Sequence, residues 1–336
     1  MCLLLLAMVP AWAADLPQEV TDAAPPAAEE LEGKDFSGGI AALLEQGTTL
    51  LGEALRGNLR GAVLILGVVL LCGAVDAVLR TPESPMRRFL PMAGAAAIAV
   101  LSLGSMKSLL GLGTQTIEEL DVFSKALLPT LAAAVAAGGG EVIAVCFADA
   151  LITLIRGLLL PMTYFLAAAA TADAMLPRHG LGTVAKAASR VVTWLLTGSL
   201  VLFTGYLTLS GAVSTSADAL TVQVTRSAVG AMPVVGRILS DAAGSVLAGA
   251  GVVKNAIGVF GLLGVLAACL GPFVRLGVQY LLYKLTAFLA GMTAAPELAK
   301  LIDALGGVFG LMLGMTGSCA LLLLISISSA ILVVTP

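Results

Sequence analysis

Few residues in this chain could carry chemistry, and their spacing narrows the choice further. His179 is the single histidine, so a metalloprotease His-Glu-x-x-His pair cannot form. No acid or nucleophile pattern surrounds it, and it reads as a hydrogen-bonded loop residue. The five cysteines are Cys2, Cys72, Cys146, Cys269 and Cys319. Cys2 lies in a signal-like segment and the others fall one each in separate apolar runs. That spacing suits neither a zinc site nor a disulfide framework, and they read as small buried hydrophobes. There is no Gly-rich phosphate loop with a following Lys-Ser/Thr, and no Gly-x-Ser-x-Gly elbow. A Ser–Lys pair from Ser240-Asp241 and Lys254 has only proximity in sequence behind it. The basic residues are scattered without interleaved aromatics, which gives no basis for nucleic-acid binding. The expectation is a protein that is not an enzyme, with no cofactor and no metal.

What remains is a set of ionisable residues inside apolar runs. A charge at the bilayer centre is costly, so such groups pair or line a wet cavity. Asp76 and Asp173 lie near the ends of runs, where the membrane interface accounts for them. Glu141, Asp149 and Arg156 lie deeper. Asp149 and Arg156 are seven apart, two turns along one helix face, and could form an internal ion pair or mark a polar path.

A second polar stretch, residues 232–255, lies between two long apolar runs. Val235, Ile238, Ala242, Val246 and Val253 recur at helical spacing, with Arg237 and Asp241 four apart on the other face. Upstream, Val213, Ala217, Leu220, Val224 and Ala228 mark another apolar stripe. Gly230-Ala-Met-Pro233 separates the two, because proline cannot continue a helical hydrogen-bond ladder. Two amphipathic helices joined by a tight turn, over residues 213–254, are expected on or in a membrane. They could be functional, or could be interfacial helices that fill space between spans.

The elements that must position these residues are membrane helices. Apolar residues make up 59% of the 336 and charged residues 12%, against roughly a quarter charged in a soluble domain. The mean hydropathy is +1.02. Runs near 20 residues, enough to cross about 30 Å of hydrocarbon, recur. The fold expected is all-α: a polytopic α-helical membrane protein with roughly six to eight transmembrane helices and a paired amphipathic element, interfacial or re-entrant.

Along the chain, residues 1–14 resemble a signal peptide, with small residues at Ala11-Trp-Ala13 and no basic n-region. Residues 15–35 carry seven acids and one lysine, a solvated arm. The region 15–60 is read as this exported arm plus a juxtamembrane amphipathic helix (residues 40–59), and 61–336 as the membrane domain. Spans are expected over 61–79, 89–106, 191–211, 256–273 and 305–334, with a further apolar segment ending near Gly291. Residues 107–125 are expected as a polar connection, and 126–175 as an odd number of crossings. Arg80, Arg87 and Arg88 place the loop after the first span in the cytoplasm, which puts the N-terminus outside. In the last run Gly306, Gly310 and Gly314 recur every four residues, a small-residue packing face. Such a face packs within one chain or joins two copies as a homo-oligomer.

The run Met232-Pro-Val-Val-Gly236, Ser240-Asp241, Val246-Leu-Ala-Gly-Ala-Gly-Val-Val-Lys-Asn255 and Gly258-Val-Phe-Gly261 resembles the stage III sporulation protein AE family. Tyr206-Leu-Thr-Leu-Ser-Gly211, the signal-like segment and the acidic arm agree with it. The resemblance is densest from Val191 to Leu289. It implies an integral membrane component of a specialised secretion or transport apparatus, feeding-tube-like, that links mother cell and forespore in endospore-forming bacteria. Its implied location is the mother-cell membrane around the forespore. The implied partners are membrane lipid, other proteins of the same sporulation operon and a forespore membrane protein. On this reading Pro233, Gly236, Arg237, Ser240, Asp241, Lys254 and Asn255 form an assembly or pore element. The alternative is a self-contained permease for a small solute, in which broken helices and midplane charges bind the substrate. No internal repeat of hydropathy supports that alternative.

Overall fold

A computed structural model describes residues 18–29, 36–78, 86–134, 149–175, 181–230, 235–293 and 296–332, with the side chains of 207–230 and 235–256 left out. Two short helices, α1 (Gln18–Asp22) and α2 (Pro26–Glu29), precede six long ones. These are α3 (Phe36–Val78), α4 (Met86–Ala134), α5 (Asp149–Met175), α6 (Leu181–Gly230), α7 (Val235–Gly291) and α8 (Pro296–Leu332). The described residues contain no strand. Each long helix contains a stretch apolar and long enough to cross a membrane, giving six candidate spans. In lipid the helix satisfies its own backbone, which is why apolar runs of this length fold this way.

The helices are longer and fewer than the hydropathy breaks suggest. The amphipathic segment 40–59 and the span 61–79 are one 43-residue helix. Residues 107–125, expected as a connection, continue α4 to Ala134. The expected span 256–273 and the segment beyond it are joined through Pro272 within α7. The stripes at 213–230 and 235–254 are likewise not separate elements: they extend α6 and α7. Polar residues do not end a helix by themselves, and in α7 the helix continues even through Pro272, which lacks the N–H for one rung of the ladder. Where a break is required, α6 stops at Gly230 and α7 starts at Val235, on either side of Pro233. Between Ala126 and Met175 the described residues make one new crossing, by α5.

Helix direction follows from the contacts. Gly39 and Gly47 of α3 face Leu263 and Leu270 of α7, and Gly73 faces Thr293 just beyond its end, so these two helices run parallel. Along α8, Gly306 faces Tyr283, Gly310 faces Tyr280 and Gly317 faces Phe273, so α7 and α8 are antiparallel. Helix α4 opposes α7: Ser102 bonds to Tyr283 at one level and Phe123 meets Phe260 at another. Leu151, Phe203 and Leu322 cluster, which ties the start of α5 to the apolar end of α6 and to α8. The last residues of α3, α5 and α7 and the first of α4, α6 and α8 therefore gather at one end of the bundle. The α6 and α7 extensions leave from the other.

Helices α7 and α8 are the centre. In each, 61% of the most apolar stretch is buried, against 17% in α6. Glycine allows their approach: a Cβ on Gly310 would come 2.9 Å from the Tyr280 ring, and one on Gly306 3.1 Å from Tyr283 Cβ. Gly314 does not join them; it is exposed, with nothing near its missing side chain. Each four-residue step on a 3.6-residue helix drifts about 40°. The third glycine has rotated off the contact, and Gly317 takes its place against Phe273.

Candidate polar site between α4 and α5

Helix α5 contains a π-helical turn over Ile155–Leu159, where the Leu160 N–H donates to the Ile155 carbonyl five residues back. Pro161 accounts for it. Its ring would collide with the Gly157 carbonyl in a regular helix, and opening the turn relieves the clash. Arg156 stands on this turn and reaches across to α4. Its Nη1 donates to Asp121 Oδ2 at 2.5 Å, and its Nη2 lies 3.4 Å from Glu118 Oε1. On α4, Lys125 Nζ lies 3.0 Å from Asp121 Oδ1, one turn away, and 3.5 Å from Asp149 Oδ1 at the start of α5.

Asp121 is the hub. It is 3% exposed and receives both cations, whereas the Arg156 and Lys125 side chains are 42% and 57% exposed. Lys125 Nζ also donates a hydrogen bond to Asp121 Oδ2 at 3.1 Å, while its contacts with the Oδ1 atoms of Asp121 and Asp149 are ion pairs. Glu118, Asp121, Lys125 and Arg156 line a cleft of about 370 Å³ with Thr114, Thr153 and Gly157. Among the described residues, no three His, Cys, Asp or Glu side chains are arranged to hold a metal ion.

Of the residues singled out from sequence, the structure brings Arg156 to this cleft and Asp149 to Lys125 beside it. It does not pair them with each other: each binds a different partner on α4. Two turns on one face place them about 10 Å apart along the axis, beyond direct contact, and α4 fills the gap. Asp121, Lys125 and Glu118 were hidden in what the sequence presents as a polar connection. The signal for them was Asp121-x-x-x-Lys125 at helical spacing, together with an Arg156 needing a counter-charge. Asp173 caps α6, its Oδ1 accepting from the Gly182 N–H at 2.6 Å. Gly306 and Gly310 meet α7, and Gly314 does not.

Glu141 and Pro233 lie outside the described residues. Gly236, Arg237, Ser240, Asp241, Lys254 and Asn255 fall on the first part of α7, where the helix is described and the side chains are not. Cys72, Cys269 and Cys319 are free thiols; Cys269 and Cys319 are buried in the helix bundle and Cys72 is half-buried.

Six long apolar helices packed around a glycine-lined pair, with an internal polar cleft, define an all-α polytopic membrane protein. The family model for stage III sporulation protein AE matches residues 36–335, and the chain belongs to that family. It is similar to the stage III sporulation protein AE of Bacillus subtilis (strain 168), 24% identical over 198 residues, 56% of this chain and 50% of the relative. The aligned region thus spans half the length of that relative. No solved structure matches.

Proposed function

We propose that this chain is a non-enzymatic membrane component of a specialised secretion or transport complex joining mother cell and forespore during endospore formation. The carrying observation is the family match across residues 36–335 on a chain with six candidate spans. A family defined by a sporulation stage and built almost wholly of membrane helices suits a membrane base better than a soluble regulator. Lipid, proteins of the same sporulation operon and a forespore membrane protein are its partners on this reading. The site is the mother-cell membrane around the forespore, with the N-terminus outside the cytoplasm.

Pro233, Gly236, Arg237, Ser240, Asp241, Lys254 and Asn255 are assigned to assembly or to lining a pore. The supporting feature is that the polar stretch lies on long helices: α6 continues as helix to Gly230 and α7 begins as helix at Val235. Two helices of that kind give a partner two long faces to grip.

Deleting the gene in its spore-forming host tests the reading. The expected result is completed engulfment with late forespore transcription failing by about tenfold or more in a reporter (a tenfold fall corresponds to ~1.4 kcal/mol in an equilibrium). Normal late transcription and normal spores would refute it. Arg237→Ala and Asp241→Ala should reproduce the defect at unchanged protein level. Loss of the protein itself in those strains would assign the pair to folding instead. The permease alternative has one feature behind it, the ion-lined cleft beside the π turn; solute uptake by the chain reconstituted alone would favour it.

A further inference from the structure

The exposed surface of the bundle changes character at one level. On α3 every exposed residue after Arg60 is apolar or glycine, whereas Glu45, Thr48, Glu53 and Arg56 are exposed before it. On α4 the exposed residues from Phe89 to Gly104 are apolar or glycine, and those from Lys107 to Lys125 are polar or glycine apart from Val122. On α5 Thr153 and Arg156 are exposed, then Leu158, Tyr164 and Phe165. On α7 nothing from Ile257 to Pro272 is exposed, Phe273 and Arg275 are, and the exposed residues that follow are apolar or glycine. Arg60, Lys107, Arg156 and Arg275 thus mark the change on four helices. From the end where α3, α5 and α7 finish and α4 begins, they lie about 24 to 32 Å along the axis at 1.5 Å per residue. That is one hydrocarbon thickness, about 30 Å. Lys284 and Asp303, which lie within that distance, pair with each other at 2.6 Å.

We propose that lipid covers only this half of the bundle, up to a ring of Arg60, Lys107 and Arg275 whose side chains reach lipid phosphates, and that beyond the ring the same helices stand in water as a helical head. All three residues are exposed and none makes an ion pair among the described residues. Long basic side chains at the edge of an apolar band reach out to the headgroups in this way. Arg156, at the same level, turns to Asp121 instead, and the half-exposed charges around it suit water and not hydrocarbon. Helix α3 runs on from Arg60 back to Phe36, about 36 Å beyond the ring. Leu44, Leu51 and Leu55 are exposed there, but charged and hydroxyl side chains alternate with them. The core of the head is the first described part of the α7 side chains. Phe260 meets Phe123 of α4, Leu263 packs with Leu43 of α3, and Gly261 faces Leu127 of α4 and Ile327 of α8. A stretch hydrophobic enough to be expected as a span, 256–273, is therefore wrapped by polar-faced helices and kept from lipid. The inference rests on the chain being a membrane protein and not on the transport reading.

The test uses the full chain in phospholipid nanodiscs, which leave both ends open to solvent. Single cysteines are added at exposed positions: Thr48→Cys and Gln115→Cys in the head, Leu70→Cys and Val100→Cys in the apolar band. Labelling by a charged, membrane-impermeant methanethiosulfonate is followed by the mass of the peptide carrying each position, so the native thiols do not interfere. Both head positions should react at least about tenfold faster than both band positions, because neither a thiolate nor a charged reagent enters hydrocarbon readily. A smaller ratio overturns the proposal: slow head positions would place the head in lipid, and fast band positions would leave the band wet. Spin labels at Arg60→Cys, Lys107→Cys and Arg275→Cys then report depth, from the ratio of collisions with oxygen and with a water-soluble nickel chelate. All three should fall between the values for the head and band positions. A ring label as deep as Leu70→Cys, or as open to the chelate as Thr48→Cys, would overturn the ring. If a variant aggregates, Thr49→Cys replaces Thr48→Cys and Val63→Cys replaces Leu70→Cys, both also exposed.

Discussion

Asp121 does more for this molecule than any other charged residue described. A carboxylate that is 3% exposed is tolerable because two cations converge on it, one from its own helix and one from the next. Removing its charge leaves Arg156 with only the longer Glu118 contact. Breaking a buried pair costs about 3–5 kcal/mol, and the partial exposure of both cations reduces this, so ~1–3 kcal/mol is expected for Asp121→Asn. Thermal unfolding of the purified protein in detergent measures it. The double substitution Asp121→Asn with Arg156→Gln should cost less than the sum of the singles, because the two share one interaction. Additive losses would mean that the pair is not coupled. Asp173→Ala is a smaller effect of different origin. It removes the acceptor for the Gly182 N–H at the start of α6 and should cost ~0.5–2 kcal/mol in the same assay.

At the scale of the element, the α7–α8 contact is set by glycines at two consecutive positions of a drifting stripe. Gly310→Leu would drive a side chain into the Tyr280 ring, already 2.9 Å from where a Cβ would lie. Overpacking of this kind costs about 1–3 kcal/mol. Gly314→Leu, in the same helix and the same repeat, meets nothing and should leave the melting temperature within error. The contrast between the two is the measurement. It also locates what the sequence could and could not disclose. The apolar faces and the glycine repeat were legible, since they follow from composition and helical period. The loss of Gly314 from the contact was not, because a strict four-residue spacing looks like one face until the 3.6-residue turn is applied to a particular partner. The helix limits failed for a related reason. Glu118, Glu119 and Asp121 look like a loop when hydropathy is averaged, whereas Arg156 on the neighbouring helix supplies the counter-charge for Glu118 and Asp121 within one.

For the whole molecule, six crossings place the start of α3 and the end of α8 at the same end of the bundle. The last residues of α3, α5 and α7 and the first of α4, α6 and α8 gather at the other. Arg80, Arg87 and Arg88 after α3, and Arg178, Lys186 and Arg190 around the start of α6, are a basic excess of the kind that marks a cytoplasmic side, in line with the proposed orientation. Single cysteines introduced in 79–85 and 176–180 should therefore be shielded from an impermeant thiol reagent in intact cells. One in 135–148 should be labelled. Labelling of both 79–85 and 135–148 from outside would contradict the arrangement. Nothing local in the sequence specifies this end-to-end grouping, which depends on which distant helices meet.

The parallel pairing of α3 with α7 has a consequence for how the chain is made. Successive membrane helices pair as hairpins while they emerge, but the partner of Gly39 is Leu263, 224 positions later. At about 5–20 residues per second, the ribosome reaches that partner roughly 10 to 45 s after the first helix has been synthesised. The C-terminal half of α3 is covered early, because Gly94 of α4 packs on Cys72. The other half, whose inward residues Leu43 and Ala54 contact α7, has no such early cover. During synthesis that surface must sit against lipid or an insertion factor, and any truncation before α7 releases a first helix with half of its inner face bare.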